Sequence, residues 1–294
     1  MPEDRASQSR LEVRKTYKLY VGGAFPRSES GRSYVVSGPD GRPLANAALA
    51  SRKDLRDSVV AARKAQPGWA AATAYLRGQV LYRVAEMLEG RRAQFAEALV
   101  AGEGLNVEAA SSSVEAAVDR LVWYAGWADK LAQVAGSANP VAGPYFNFSI
   151  PEPTGVVGVL APQASSLLGL VSVLAPVITS GNAAVVVASE AHPLPALDLA
   201  EVLATSDLPG GVVNILSGRS AELAPVLAAH RDVEAIDLAG APDGLDARLE
   251  EAAADNVKRV LRREQPAPDW SAEPGPERML FFVEIKTVWH PLGV

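Results

Sequence analysis

The chain has 294 residues, of which 48 % are hydrophobic and 21 % charged, values typical of a globular protein with a sizeable core. Acidic residues outnumber basic ones by 34 to 28, which opposes binding to nucleic acid or to an anionic membrane. The sequence contains no cysteine, and this excludes disulfides, thiolate metal sites and a cysteine nucleophile. We find no transmembrane span and no secretory signal, so we expect a cytoplasmic protein.

The first part of the chain changes from a polar tail to amphipathic helices. Residues 1–16 are mixed in charge, which predicts a disordered tail. Residues 17–133 begin with short β-prone runs separated by glycine turns and continue with helical periodicity. The first helix is predicted to start at Ser51 and to be closed by Pro67-Gly68-Trp69. Further helices are predicted at 74–89, 91–101 and 106–134.

Residues 134–152 have a different pattern, in which aromatic and small residues alternate from Pro144 to Ile150. This alternation is typical of a half-exposed strand, and we predict a hairpin that projects from the main body. We expect Tyr145, Phe146 and Phe148 to form an aromatic face on it.

Residues 153–263 alternate between short apolar runs and helical segments, which predicts a parallel, doubly wound, Rossmann-like α/β sheet. The strands are predicted at Val156–Ala161, Ala183–Ala188, Val212–Leu216, Glu234–Leu238 and Val257–Leu261. The helices are predicted at 167–179, 195–205, 220–229 and 242–254. We expect this sheet to form one cofactor-type domain with residues 17–133.

The end of the chain combines a proline-rich segment with an apolar strand. Residues 264–278 contain four prolines and several acids, a composition that predicts a linker. Residues 279–294 include Met279–Trp289, which predicts a strand. A terminal strand this apolar needs a partner, either the 134–152 hairpin or another subunit.

Six segments in this order resemble landmarks of the NAD(P)-dependent aldehyde dehydrogenase superfamily. They are Tyr20–Phe25, Glu152–Gly158, Leu174–Asn182, Ser189–Glu190, Leu208–Asn214 and His230–Val233. In addition, Asp57–Ala65 followed by Trp69 resembles the first helix of that family, and Phe281–Trp289 its terminal oligomerisation strand. The resemblance implies the Rossmann-like cofactor domain with its projecting hairpin.

The positions that carry the family's chemistry differ. The asparagine that holds the oxyanion is replaced at Ala164, and the cofactor-binding lysine at Val187. The Phe-Thr-Gly-Ser motif is represented by Leu238–Ala241, and the general-base glutamate falls at Arg263. The chain then passes through the linker to the terminal strand, so we expect the catalytic domain to be absent and no residue of this chain to be catalytic.

Polar residues at the ends of the predicted strands are the remaining candidates for a site. By the resemblance, Ser189 and Glu190 would bind the ribose of NAD or NADP, although a glutamate here could equally cap a helix. The turn Ser217–Ser220 could hold an anion with Arg219 as counter-charge, or be a simple turn. We expect no bound cofactor, and the three scattered histidines lack the spacing of metal ligands.

These observations favour a catalytically inactive aldehyde-dehydrogenase-like subunit, similar to the degenerate, cysteine-free second module of the two-module aldehyde dehydrogenases. We expect it to form homo-oligomers, or hetero-oligomers with a full-length enzyme that it stabilises or regulates. Two alternatives stay open. One is a nucleotide-binding or sensing module that uses a relic NAD(P) pocket, and the other is a subunit that contributes in trans to NAD(P)-dependent aldehyde oxidation.

Overall fold

The computed structural model describes residues 13–293, which form three sheets and the helices packed around them. The first sheet has the strand order β1-β3-β2, with β1 at Thr16–Tyr17, β2 at Ser33–Ser37 and β3 at Pro43–Ala48. Thr16 pairs with Asn46, so the predicted tail 1–16 extends one residue too far; residues 1–12 lie outside the described part.

Five helices follow this sheet: α1 Arg52–Ala71, α2 Ala74–Glu89, α3 Arg92–Glu103, α4 Val107–Trp127 and α5 Leu131–Ala135. The prediction that Pro67-Gly68-Trp69 closes α1 ends the helix two residues too early, because the helix continues to Ala71. Trp69 provides the reason: it is buried, and its indole Nε1 donates a hydrogen bond to the carbonyl of Ile178 at 2.8 Å. Tertiary packing therefore overrides the proline as a helix stop.

The single helix predicted at 106–134 is also wrong, because a turn separates α4 from α5. At that turn the amides of Ala128 and Lys130 donate to carbonyls three residues earlier, at 3.4 and 3.1 Å. Such tightened bonds are common where an α-helix ends.

The predicted hairpin is formed by β4 at Ser137–Asn139 and β5 at Tyr145–Pro153, which pair antiparallel. Because side chains alternate along a strand, Phe146, Phe148 and Ile150 share one face, while Tyr145 lies on the other. The prediction that Tyr145, Phe146 and Phe148 form one aromatic face is therefore wrong for Tyr145.

The central sheet is parallel, as predicted, and its strand order is β10-β9-β6-β7-β8. Its strands are β6 Val156–Leu160, β7 Ala183–Val187, β8 Val213–Leu216, β9 Ala235–Asp237 and β10 Arg259–Leu261. The helices between them are α6 Leu168–Thr179, α7 Leu194–Ala204, α8 Ser220–Ala228 and α9 Asp246–Ala254. Strands β6, β7 and β8 are buried along their whole length, which explains why their sequences are apolar except for Asn214 in β8.

The last strand begins later than the sequence predicts. Residues Glu277–Phe281 form a short helix, α10, and β11 spans Val283–Pro291. Met279 and Phe282 are fully buried in the main core, and this anchoring favours the helical turn over an extended strand. Strand β11 pairs antiparallel with β5 over nine residue pairs, which confirms the hairpin as its partner. Among residues 13–293 no helix is long and apolar enough to cross a bilayer.

Candidate functional site

The carboxyl ends of the parallel strands open into a cleft of about 780 Å³, where ligands of doubly wound sheets bind. Loops after β6, β7 and β8 contribute to it, and the first sheet closes its outer side. The polar residues that line it are Tyr34, Ser37, Glu103, Gln163, Glu190, His192, Arg219 and Ser220. The fold thus brings together the predicted candidates Glu190 and Arg219, which are 29 residues apart in the chain.

Glu190 is fully engaged by its own protein. One carboxylate oxygen accepts a hydrogen bond from Arg219 Nη1 at 2.7 Å, and the other from the amide of Ser220 at 2.9 Å. Because Ser220 is the first residue of α8, the carboxylate occupies the positive end of that helix. Hydrogen bonding to Glu190 raises the pKa of Arg219, which also lies 5.4 Å from the Tyr34 ring centroid. The anion position that the turn was predicted to offer is therefore filled by Glu190.

Ser189 is buried at 2 % exposure and holds two loops together. Its hydroxyl donates to the carbonyl of Gln163 at 2.9 Å and accepts from the amide of His192 at 3.1 Å. The amide of Glu190 donates to Gln163 Oε1 at 2.9 Å. Sequence reasoning overlooked Gln163 as an organising residue; its signal was a polar side chain in the loop that follows a buried strand.

A second cavity of about 460 Å³ lies beside the cleft, between the loops that follow β6 and β9. Ala164 lines it and brings no side-chain hydrogen-bond donor. Arg263 also lines it and forms ion pairs with Asp243 and Asp246, both at 2.8 Å. The hydrogen bond from Arg263 to Asp243 raises the pKa of Arg263 further. A paired cation cannot accept a proton, so the position that resembles a general base carries no base.

The remaining sequence candidates have structural roles. Ser165 accepts a hydrogen bond from the amide of Gly169 at 3.0 Å, and the amide of Ser166 donates to Glu103 Oε1 at 2.7 Å. Nδ1 of His230 accepts from the amide of Asp232 at 3.2 Å. Across residues 13–293 no three His, Asp or Glu side chains are grouped so that they could hold a metal ion.

Comparison with known proteins assigns this architecture. The model of the Aldehyde dehydrogenase family matches residues 25–262, which is most of the chain. This chain belongs to the aldehyde dehydrogenase family. The matched range includes the parallel sheet and the loops after β6 and β9, which line the two cavities. The resemblance found in the sequence is therefore confirmed.

Relatives within the aldehyde dehydrogenase family are about one-third identical to this chain. A protein named putative aldehyde dehydrogenase DhaS, from Bacillus subtilis, is 32 % identical over 85 % of this chain and 51 % of its own length. Retinal dehydrogenase 2 of Mus musculus is 33 % identical over 85 % of this chain and 48 % of its own length. The chain thus spans about half the length of these relatives.

Solved aldehyde dehydrogenase structures confirm the fold. The protein HpcC from Thermus thermophilus superimposes with a TM-score of 0.79 at 27 % identity, covering 83 % of this chain and 47 % of that one. The NAD⁺ complex of aldehyde dehydrogenase from Bacillus cereus gives a TM-score of 0.78 at 25 % identity, covering 83 % and 50 %. The aldehyde dehydrogenase fold is therefore present with only part of the catalytic domain.

The residues of this chain do not fit an NAD(P) cofactor as they are arranged. Both carboxylate oxygens of Glu190 already accept a hydrogen bond, one from Arg219 and one from the amide of Ser220, so a ribose would compete with these donors. The hydroxyl of Ser189 is committed to protein partners on both its donor and its acceptor side. The fully buried Val187 offers no charge to a phosphate or ribose.

Proposed function

We propose that this chain is a catalytically inactive aldehyde-dehydrogenase-like subunit that assembles with an active, full-length aldehyde dehydrogenase and stabilises or regulates it. The proposal rests on how the chain continues after β10: residues 264–276 lead directly to α10 and β11. We infer that the cofactor-type domain and the terminal strand are joined here with only part of a catalytic domain present.

The chemistry of aldehyde oxidation needs a nucleophile, an oxyanion donor and a base, and all three are replaced here. The sequence has no thiol to form a covalent intermediate. Ala164 cannot donate to an oxyanion, and Arg263 is held as a cation by two aspartates. Loss of one group would lower the rate, whereas loss of all three supports an inactive chain.

The parts that would serve assembly are retained. We propose that residues 134–152 and 279–294 form the oligomerisation unit, on the support of the sheet order β11-β5-β4. One face of this sheet carries Phe146 and Phe148, whose ring centroids lie 5.4 Å apart, with Ile150 beside them. Phe146 is 50 % exposed and Ile150 37 % exposed. An exposed cluster of this kind marks an interaction surface.

The purified chain is expected to oxidise no aldehyde with NAD or NADP. The measurement is reduced-cofactor absorbance over a panel of aliphatic and aromatic aldehydes, with a full-length aldehyde dehydrogenase as positive control. Turnover above the uncatalysed rate that survives repurification would overturn the claim of inactivity.

Replacing Phe146 by serine is expected to weaken assembly by about tenfold or more, since a buried aromatic anchor at an interface is typically worth over 1 kcal/mol. The readout is the dissociation constant of the oligomer by sedimentation. Tyr75→Ser is the matched control, because Tyr75 is 70 % exposed on α2, away from this sheet. Equal weakening by both variants, or no effect of Phe146→Ser, would contradict the assigned surface.

The cleft at the carboxyl edge favours a second candidate function, nucleotide binding or sensing. Its volume of about 780 Å³ is within the range of ligand sites, and Glu190 lies on its wall. This alternative predicts that NAD(H) or NADP(H) raises the melting temperature of the wild type and that Glu190→Ala removes the shift. A flat response of the wild type to a nucleotide panel would eliminate it.

Breaking the ion pair between Glu190 and Arg219 tests nucleotide binding more directly. Arg219→Ala frees one carboxylate oxygen for a ribose, so we expect this variant to gain a melting-temperature shift of about 2 °C or more with NAD or NADP. Arg83→Ala, which removes an exposed arginine on α2, is the control. An Arg219→Ala variant as unresponsive as its control would show that the ion pair is not what prevents binding.

A further inference from the structure

Residues 264–278 lie across the carboxyl edge of the parallel sheet and are attached to the core at several points. Arg120 of α4, 8 % exposed, provides the main attachment. Its Nη2 donates to the carbonyl of Trp270 at 2.8 Å and to that of Ala272 at 2.7 Å. Its Nη1 donates to the hydroxyl of Ser172 at 2.9 Å. All three acceptors are neutral oxygens. Two of them are backbone carbonyls of the segment, which therefore helps to stabilise the buried charge of Arg120.

Two further contacts fix the part of the segment that follows Ala272. The hydroxyl of Tyr124 donates to the carbonyl of Gly275 at 3.3 Å. Arg278 forms an ion pair with Asp237, which is fully buried at the end of β9, and its guanidinium lies 5.6 Å from the centroid of the Trp270 ring. The backbone and side chains of the segment thus bond to α4 and to the sheet.

The segment forms one wall of the cavity of about 460 Å³ described above, through Ala267, Pro268 and Trp270. The opposite walls are the loops after β6 and β9. Many other residues of the segment are exposed, and few of its amides form backbone hydrogen bonds, so its position depends mainly on the arginines. At its far end Met279 and Phe282 are fully buried and anchor α10 independently.

We propose that residues 264–278 act as a clasp, a releasable cover over the loops that follow β6 and β9, which controls access to the cavity beside Trp270. Release breaks the hydrogen bonds of Arg120 while the buried residues Met279 and Phe282 keep β11 in place. The clasp therefore opens without detaching the sheet that contains β5 and β11. This inference does not depend on the proposed assembly function.

The test is limited proteolysis with chymotrypsin, read by intact mass as cleavage after Trp270. Rapidly closing segments are cut in proportion to their open population. We expect the wild-type bond to be cut at least tenfold more slowly than the same bond in a free peptide of residues 264–278. Arg120→Gln is expected to raise the rate tenfold or more, and Tyr124→Phe, which removes only one hydroxyl, a few-fold. Arg83→Gln on the surface of α2 is the matched control.

Either of two results overturns the clasp: a wild-type rate equal to that of the free peptide, or variant rates equal to that of Arg83→Gln. Circular dichroism melts identify any variant that fails to fold. If Arg120→Gln does not fold, Tyr124→Phe decides, because it leaves the buried charge and its three acceptors intact.

Discussion

Gly240→Ala is expected to destabilise the protein by about 3 kcal/mol, near the upper end for overpacking a core site. A Cβ at this position would overlap the carbonyl oxygen of Ala161 and lie 2.9 Å from the nitrogen of Pro162. Relief would require a backbone shift, but the Gly240 amide is bonded to the carbonyl of Leu160 at 2.8 Å, at the end of the central strand β6. Gly240 is also the glycine retained where the family motif has otherwise changed to Leu238–Ala241.

Gly102→Ala is the matched control for this substitution. Gly102 lies in α3, and a Cβ there would meet nothing within 4 Å. Alanine is a better helix former than glycine, so we expect a gain of about 0.5–1 kcal/mol. Urea unfolding of both variants measures the difference, and similar midpoints for the two would contradict the packing described around Gly240.

Arg278→Met is expected to cost about 3–5 kcal/mol at neutral pH, because it leaves the carboxylate of the fully buried Asp237 without its counter-charge. Arg278 itself is 16 % exposed in its side chain, so the pair is poorly screened by solvent. The double variant Asp237→Asn/Arg278→Met is expected to recover much of the loss, since it removes the buried charge as well. Arg262→Met, which breaks an exposed ion pair with Glu250, is expected to change little.

The stability lost in Arg278→Met is also expected to depend on pH. Burial raises the pKa of Asp237 above its usual value even beside Arg278, and removal of the arginine raises this pKa further. A carboxyl whose pKa is higher in the folded state binds more protons there than in the unfolded state. Stability therefore falls as the pH rises from the unfolded pKa, about 3.9, through the folded pKa. Arg278→Met should thus lose less stability relative to wild type near pH 5 than at pH 7, and an equal loss at both would contradict the assignment.

The sequence was sufficient for the parallel sheet because its information is local. Runs such as Ala183–Val187 are apolar at every position, short, and rich in β-branched residues, which is the pattern of a strand buried on both faces. The course of α1 past Pro67 was not predictable from local propensity, since it depends on a hydrogen bond from Trp69 to Ile178, 109 residues away. The predicted boundaries of helices and strands were wrong where tertiary contacts determine them.

The candidate site shows the same limit. Glu190 and Arg219 were each identified from their positions after strands, but their ion pair arises because β7 and β8 are neighbours in the sheet. The composition of residues 264–278 predicts a linker because prolines and acids dominate it. Its attachment depends on Arg120, which lies 150 residues from Trp270, and the sequence of that helix does not say which segment this arginine contacts. A buried arginine inside an amphipathic stripe was the one available signal.

The most direct test of the proposed function is native mass spectrometry of this chain after co-expression with the full-length aldehyde dehydrogenases of its own organism. We expect the tagged chain to purify in a stoichiometric hetero-oligomer with one of them, and Phe146→Ser to lower the yield of that complex. A chain that remains monomeric beside every full-length enzyme would contradict the assembly role and favour the nucleotide-binding alternative.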